Sequence, residues 1–130
     1  MTSQVLFTGK THNTSGRNGA TQSADGFLDI KLSQPHPAAE NFFGAAWSAC
    51  YLGALELAAG QRKIKLVDPS VDAEIDLNRE GKEFFLAARL NVSLPGLDRY
   101  VAEELIHTAH GICPYSKAVS GNINVETNLV

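Results

Sequence analysis

Only two cysteines occur in the 130 residues, Cys50 and Cys113. In a reducing compartment such a pair points to redox or catalytic use rather than to a structural bridge. Around the first of them, Glu40, Phe43, Trp47, Cys50 and Ala54 recur at alternating three- and four-residue steps. On a helix these residues form one seam, so Cys50 faces whatever Trp47 faces. Cys113 closes a second helical pattern, and two cysteines on consecutive buried helix faces could meet if the helices pack side by side. Taken alone, Cys50 is equally well read as a small buried hydrophobe.

A mid-helix cysteine gains nothing from the positive end of the helix dipole, so a reactive thiolate at position 50 needs a cation from elsewhere. Arg17 is the candidate, the one charged residue between Lys10 and Asp25 in a run of Thr, Asn, Ser and Gly. A lone arginine in such a loop is ordinarily solvated, but its guanidinium can fold over an apolar pocket if a carboxylate holds it, and Glu40 could be that carboxylate. Otherwise Glu40 is a first-turn acid complementing the helix dipole. His107, His110 and Cys113 recur at three-residue steps and with Cys50 offer a zinc donor set, but the set lacks the usual second close pair, and no metal is expected. Cys113-Pro114-Tyr115-Ser116 has the look of a glutaredoxin motif with its last cysteine replaced. It closes a helix here instead of opening one after a strand, which argues against that reading.

The elements that must position these residues can be read from periodicity. Residues 3 to 8 are a strand candidate and residues 9 to 25 a loop. Phe27 to Leu32 alternates as a half-buried strand, and Pro35 and Pro37 break it, with Pro37 suited to a helix start. A helix of about 38 to 59 follows, stopping near Gly60. Val71, Ala73, Ile75 and Leu77 alternate with polar residues, as do Leu86, Ala88, Leu90, Val92 and Leu94, with Arg79 to Lys82 between them, which predicts a hairpin. Leu97, Val101, Leu105, Ala109 and Ile112 mark a second helix ending before Pro114, and Ile123, Val125, Thr127 and Leu129 a last strand. The expected order is ββαββαβ in a single domain over 1–130, α+β with a mostly antiparallel sheet.

Composition narrows the function classes. Eleven Lys and Arg against 14 Asp and Glu give a net charge of -3, and no basic cluster exceeds Arg62-Lys63, so a nucleic-acid footprint has little support. The start of the chain holds only the short apolar run Val5-Leu6-Phe7 and no signal-peptide pattern. The uncharged stretch between Glu40 and Glu56 is shorter than the roughly 20 residues that span a bilayer. It reads as a buried helix of a cytoplasmic protein.

The stretch Glu40-Asn-Phe-Phe-Gly-Ala-Ala-Trp-Ser-Ala-Cys50, the later Ala109-His-Gly-Ile-Cys-Pro-Tyr-Ser116, the tail from Gly121 to Val125 and the early Gly16-Arg17-Asn18-Gly19 together resemble the organic hydroperoxide resistance proteins of the OsmC superfamily. Ahead of Glu40 the chain reads His36-Pro37-Ala38-Ala39 where the family commonly has Asn-Pro directly. The resemblance implies an OsmC/Ohr-like fold in an intertwined homodimer and a cysteine-based peroxidase acting on organic hydroperoxides. It further implies that Cys50 attacks the peroxide and becomes a sulfenic acid, that Cys113 resolves it as a disulfide, and that Arg17 activates the thiol while Glu40 orients Arg17. Phe42, Phe43, Trp47 and Tyr51 would supply the apolar wall for the substrate. No cofactor is implied; the reductant would be a dithiol, in the family a lipoyl-bearing protein. A non-catalytic small-molecule binding module using the same apolar helix is the alternative of a different class.

Overall fold

The polar run that reads as a loop is where the first strands form. The computed structural model describes residues 2–14, 16–32 and 39–130, and the chain divides into two units, Met1–Ala39 and Glu40–Val130. In the first, β1 (Thr11–Thr14), β2 (Ala20–Ser23) and β3 (Asp29–Lys31) make an antiparallel meander, with a 3-10 turn at Gly16–Asn18 between β1 and β2. Threonines suit extended backbone, and polar pairs bridge the strands, Thr21 to Asn13 and Gln22 to Asp29. Every residue of β1 is exposed, so apolar alternation could not have revealed it. Residues 3–8, expected as a strand, carry none; Val5, Leu6 and Phe7 are each at least 80% exposed. The β3 strand sits inside the predicted 27–32 segment. The expected role of Pro35 and Pro37 falls on 33–38, outside the described residues.

The second unit opens with α1 (Ala39–Gln61), followed by β4 (Ser70–Glu80), β5 (Glu83–Ser93), α2 (Arg99–Ile112), α3 (Pro114–Val119) and β6 (Asn124–Leu129). The hairpin forms as predicted, Glu80 opposite Glu83 across a turn in which Gly81 takes φ +62. Period-2 alternation puts Ala88, Leu90 and Val92 of β5 on the inner face, opposite Ile75, Ala73 and Val71 of β4. Each such Leu or Val, fully buried, contributes about 1.5–3 kcal/mol. The β6 strand joins β5 in parallel, Ala88 opposite Val125 and Leu90 opposite Thr127. Parallel pairing requires a crossover, which α2 and α3 supply.

Against this sheet lies α1, with Trp47, Tyr51, Ala54, Leu55, Ala58 and Ala59 buried. Gly44 allows the approach: a Cβ there would stand 3.3 Å from Ile75 Cγ1 and 3.5 Å from Ala73 Cβ. By length and composition α1 could cross a membrane, but a buried seam packed on a sheet is how a core helix is used. The helix runs past Gly60. It is stopped by Lys63, which takes φ +57 while the Ile64 N–H returns to the Ala59 carbonyl at 2.9 Å, a lysine in the place where a glycine is expected.

Two corrections to the element order follow. Among the described residues three short strands precede α1 in place of two, and Pro114 starts a new helix as well as ending the previous one. Proline is tolerated at a first helical position because its missing N–H has no partner to lose there, so a six-residue α3 follows α2 at once. The class remains α+β with mostly antiparallel pairing, β5·β6 being the parallel exception.

Candidate functional site

Cys50 sits half-buried on α1, and Cys113 is fully buried at the joint where α2 ends and α3 begins. Sixty-three residues apart in sequence, the two sulfurs lie 3.1 Å apart as free thiols. A disulfide S–S bond is about 2.05 Å, so closing it asks for a movement of about 1 Å. The joint itself is held by the Cys113 N–H on the Ala109 carbonyl at 2.8 Å and by the Ser116 N–H on Cys113 Sγ at 3.4 Å.

The protonation balance at Cys50 is set by opposing effects. Burial pushes its thiol upward, the adjacent Cys113 adds to that, and the Tyr115 backbone N–H pulls it down, with the upward effects prevailing. Among the described residues no cation adds to these influences. Within the unit that holds both sulfurs these influences favour the Cys50 thiol over the thiolate, the opposite of what nucleophilic chemistry requires. The predicted cation, Arg17, belongs to the 3-10 turn of the first unit, and its side chain lies outside what is described. Glu40 stands half-buried in the first turn of α1, ten residues before Cys50, so about 15 Å along the helix. With Asn41, Gly44 and Ser48 it lines a cavity of about 320 Å³ against Val71, Ala73 and Ile75 of β4. The structure thus brings the two cysteines together and keeps Glu40 well along the helix from them.

The four predicted pocket aromatics separate into two kinds. Phe42 and Phe43 are half-buried, with Phe43 edge-on to Trp47 at a ring separation of 5.9 Å. Trp47 and Tyr51 are fully buried, and their polar ends are used internally. Tyr51 donates its hydroxyl to the Ile106 carbonyl at 3.0 Å, tying α1 to α2, and burial pushes its ionisation well above the ordinary range, the Cys113 charge adding to it. Trp47 Nε1 donates to Ser116 Oγ at 3.0 Å.

That last bond begins a chain the sequence reading did not foresee. Ser116 Oγ lies 2.9 Å from His110 Nδ1, and His110 Nε2 lies 2.7 Å from Thr127 Oγ1. Either tautomer of a neutral His110 completes the run. Burial lowers the His110 pKa below the usual imidazole value, with neighbouring His107 adding to it, so the neutral form is favoured. The histidine's ring also rests on Tyr51, centroids 4.6 Å apart. His110, weighed from sequence as a zinc donor or a surface residue of a last turn, is instead a half-buried link among α1, α2, α3 and β6. Among the described residues no group of three or more His, Cys, Asp or Glu is arranged to hold a metal ion. A signal was present in sequence: Thr127 is the polar member of the inward row Ile123, Val125, Thr127, Leu129, and such a residue needs a buried partner.

The family described as OsmC-like protein matches residues 32–128. The chain is 35% identical over 136 residues to the organic hydroperoxide resistance protein of Xanthomonas axonopodis pv. citri (strain 306), covering 97% of this chain and 96% of that one. It is also 35% identical over 135 residues to the organic hydroperoxide resistance protein OhrB of Bacillus subtilis (strain 168), covering 96% and 98%. The crystal structure of OhrB from Bacillus subtilis superposes with a TM-score of 0.88 over 97% of this chain and 100% of its own. That of an organic hydroperoxide resistance protein OsmC from Legionella pneumophila, 32% identical, gives 0.90 over 97% and 98%.

Proposed function

The chain belongs to the OsmC-like family, in its organic hydroperoxide resistance branch, and from that premise we propose that it is a cysteine-based peroxidase reducing organic hydroperoxides to alcohols. The observation that carries the reading is the 3.1 Å approach of Cys50 and Cys113. The Cys50 thiolate attacks the peroxide oxygen distal to carbon; the O–O bond breaks, the alkoxide takes a proton and leaves as the alcohol, and Cys50 becomes a sulfenic acid. Cys113 then attacks that sulfur. The S–S bond forms, the S–OH bond breaks, and the hydroxyl leaves as water with the Cys113 proton. An external dithiol, of the lipoyl type, returns both thiols by exchange and is itself oxidised to a disulfide.

Arg17 supplies what the second unit lacks. Its guanidinium stabilises the Cys50 thiolate and donates to the peroxide as charge moves onto the leaving oxygen, and Glu40 holds it in orientation. An arginine side chain reaches about 7 Å, less than the axial rise from Glu40 to Cys50 on one helix. A homodimer with antiparallel first helices resolves this, Arg17 and Glu40 of one subunit serving the thiols of the other. Phe42 and Phe43 form the apolar wall that favours an alkyl chain, and Trp47 and Tyr51 support it from beneath. The chain works in the cytoplasm, where thiols are kept reduced.

Intact-mass measurement after one equivalent of tert-butyl hydroperoxide tests the proposal. Loss of two hydrogens, with Cys50 and Cys113 joined and with the loss abolished in Cys50→Ser, is expected. Unchanged mass would favour a non-catalytic binding module.

A further inference from the structure

The first turn of α3 brings its backbone amides to the dithiol, with a hydrogen bond formed at Cys113. The Tyr115 N–H acts on Cys50, drawing its thiol downward, and the Ser116 N–H donates to Cys113 Sγ at 3.4 Å. A six-residue helix at the end of a crossover has little to hold it in register. What holds this one is the Ser116 hydroxyl, a residue only 6% exposed, fixed by Trp47 of α1 and by His110 of α2, which is in turn fixed by Thr127 of β6.

We infer that Ser116 and His110 are positioning residues for the dithiol, a hydrogen-bonded tether that keeps these amides at the two sulfurs through the redox cycle. This deepens the peroxidase reading and rests on it for the meaning of each step. An N–H donor favours a thiolate over a thiol. At Cys50 that promotes attack on the peroxide. At Cys113 it promotes attack on the sulfenic sulfur, the displaced hydroxyl departing as water with the Cys113 proton. The tether spans three elements and the sheet, so the movement of about 1 Å that closes the disulfide takes place without unwinding the turn.

The test compares the full-length wild-type protein with Ser116→Ala, Ser116→Thr and Thr127→Val. Two quantities are read: the pH midpoint of thiolate ultraviolet absorbance in the reduced protein, and the rate of Cys50–Cys113 disulfide formation after one equivalent of tert-butyl hydroperoxide. Ser116→Ala should raise the Cys50 midpoint and slow disulfide formation by about tenfold, the loss of one buried hydrogen bond at the reacting geometry. Ser116→Thr, which keeps the hydroxyl, should restore both. If Ser116→Ala does not fold, Thr127→Val, near-isosteric and at the far end of the tether, decides with a smaller shift in the same direction. Wild-type midpoints and rates in a folded Ser116→Ala or, in its place, in Thr127→Val overturn the tether. A wild-type protein that forms no disulfide overturns the peroxidase reading instead, and the thiol midpoints alone then decide the positioning role.

Discussion

The two units differ in how they use the same β architecture. In Glu40–Val130, one face of a three-stranded sheet is covered by α1 and α2, and its inward row of Ala88, Leu90 and Val92 is fully buried. In Met1–Ala39, an equally three-stranded meander has no buried residue among those described, and its cross-strand pairs are exposed polar ones. A small meander with little buried apolar area gains little stability of its own in water. The chemistry divides along the same line. The two closely spaced sulfurs reside in the unit with a core, while the proposed cation resides in the unit without one.

The largest effect that could break this division is at Arg17. Arg17→Ala should lower peroxide turnover about a hundredfold, as loss of a charge-stabilising donor does, while leaving unfolding almost unchanged. In the proposed homodimer with shared sites, mixing Cys50→Ser with Arg17→Ala subunits should restore up to half the wild-type activity per heterodimer, since one site then carries both lesions and the other neither. Heterodimers that form and stay inactive would place the arginine and the thiol in the same chain's site.

Stability should divide the other way. Leu90→Ala, a cavity beneath the fully buried inner face, should cost about 2–5 kcal/mol in denaturant unfolding, against less than about 0.5 kcal/mol for Thr11→Ala on exposed β1. Equal costs at the two positions would mean that the first unit is as strongly packed as the second.

The smallest effect concerns His110. Its pKa in the folded chain lies below the 6.5 of a free imidazole, chiefly through burial, so the unfolded chain binds the extra proton first. The contribution is fully present above pH 6.5 and is lost as pH falls through the folded value. His107 on the same helix, Tyr51 on α1 and Lys117 of α3, which lines a cavity with His110, are the titratable groups around it. Unfolding midpoints measured downward from pH 7 should therefore fall more steeply in the wild type than in His110→Gln, and parallel curves would assign the acid sensitivity elsewhere.

How much was legible in advance follows the same contrast. The hairpin, both long helices and the last strand could be read because their apolar residues keep a period against one core, and the cysteine pair because both members lie on buried faces. The strands β1 and β2 could not be read, since with both faces polar there is no alternation to detect. Pro114 hid α3, because a proline that ends one helix and opens another leaves the same trace as one that only ends it. The tether through Ser116, His110 and Thr127 escaped because its partners come from separate elements. Only the polar Thr127 in an inward row pointed toward it. Phe42, Phe43, Trp47 and Tyr51 were grouped by proximity along one helix, whereas burial separates the two half-exposed rings from the two committed to the core.

The parallel placement of β6 also orders events in time. The β4–β5 hairpin closes across a two-residue turn, a local event of microseconds. The β6 strand meets β5 only after a loop of 37 residues has closed, as between Asn91 and Asn128, and such non-local pairing carries the slow part of folding. The bond from His110 to Thr127 needs that strand in place, whereas the bond from Trp47 to Ser116 does not. Detaching β6 from the sheet therefore removes the outer anchor of this hydrogen-bonded run while leaving the Trp47–Ser116 bond that ties α1 to α3, so the joint beside the two sulfurs has one fastening that depends on the last strand and one that does not.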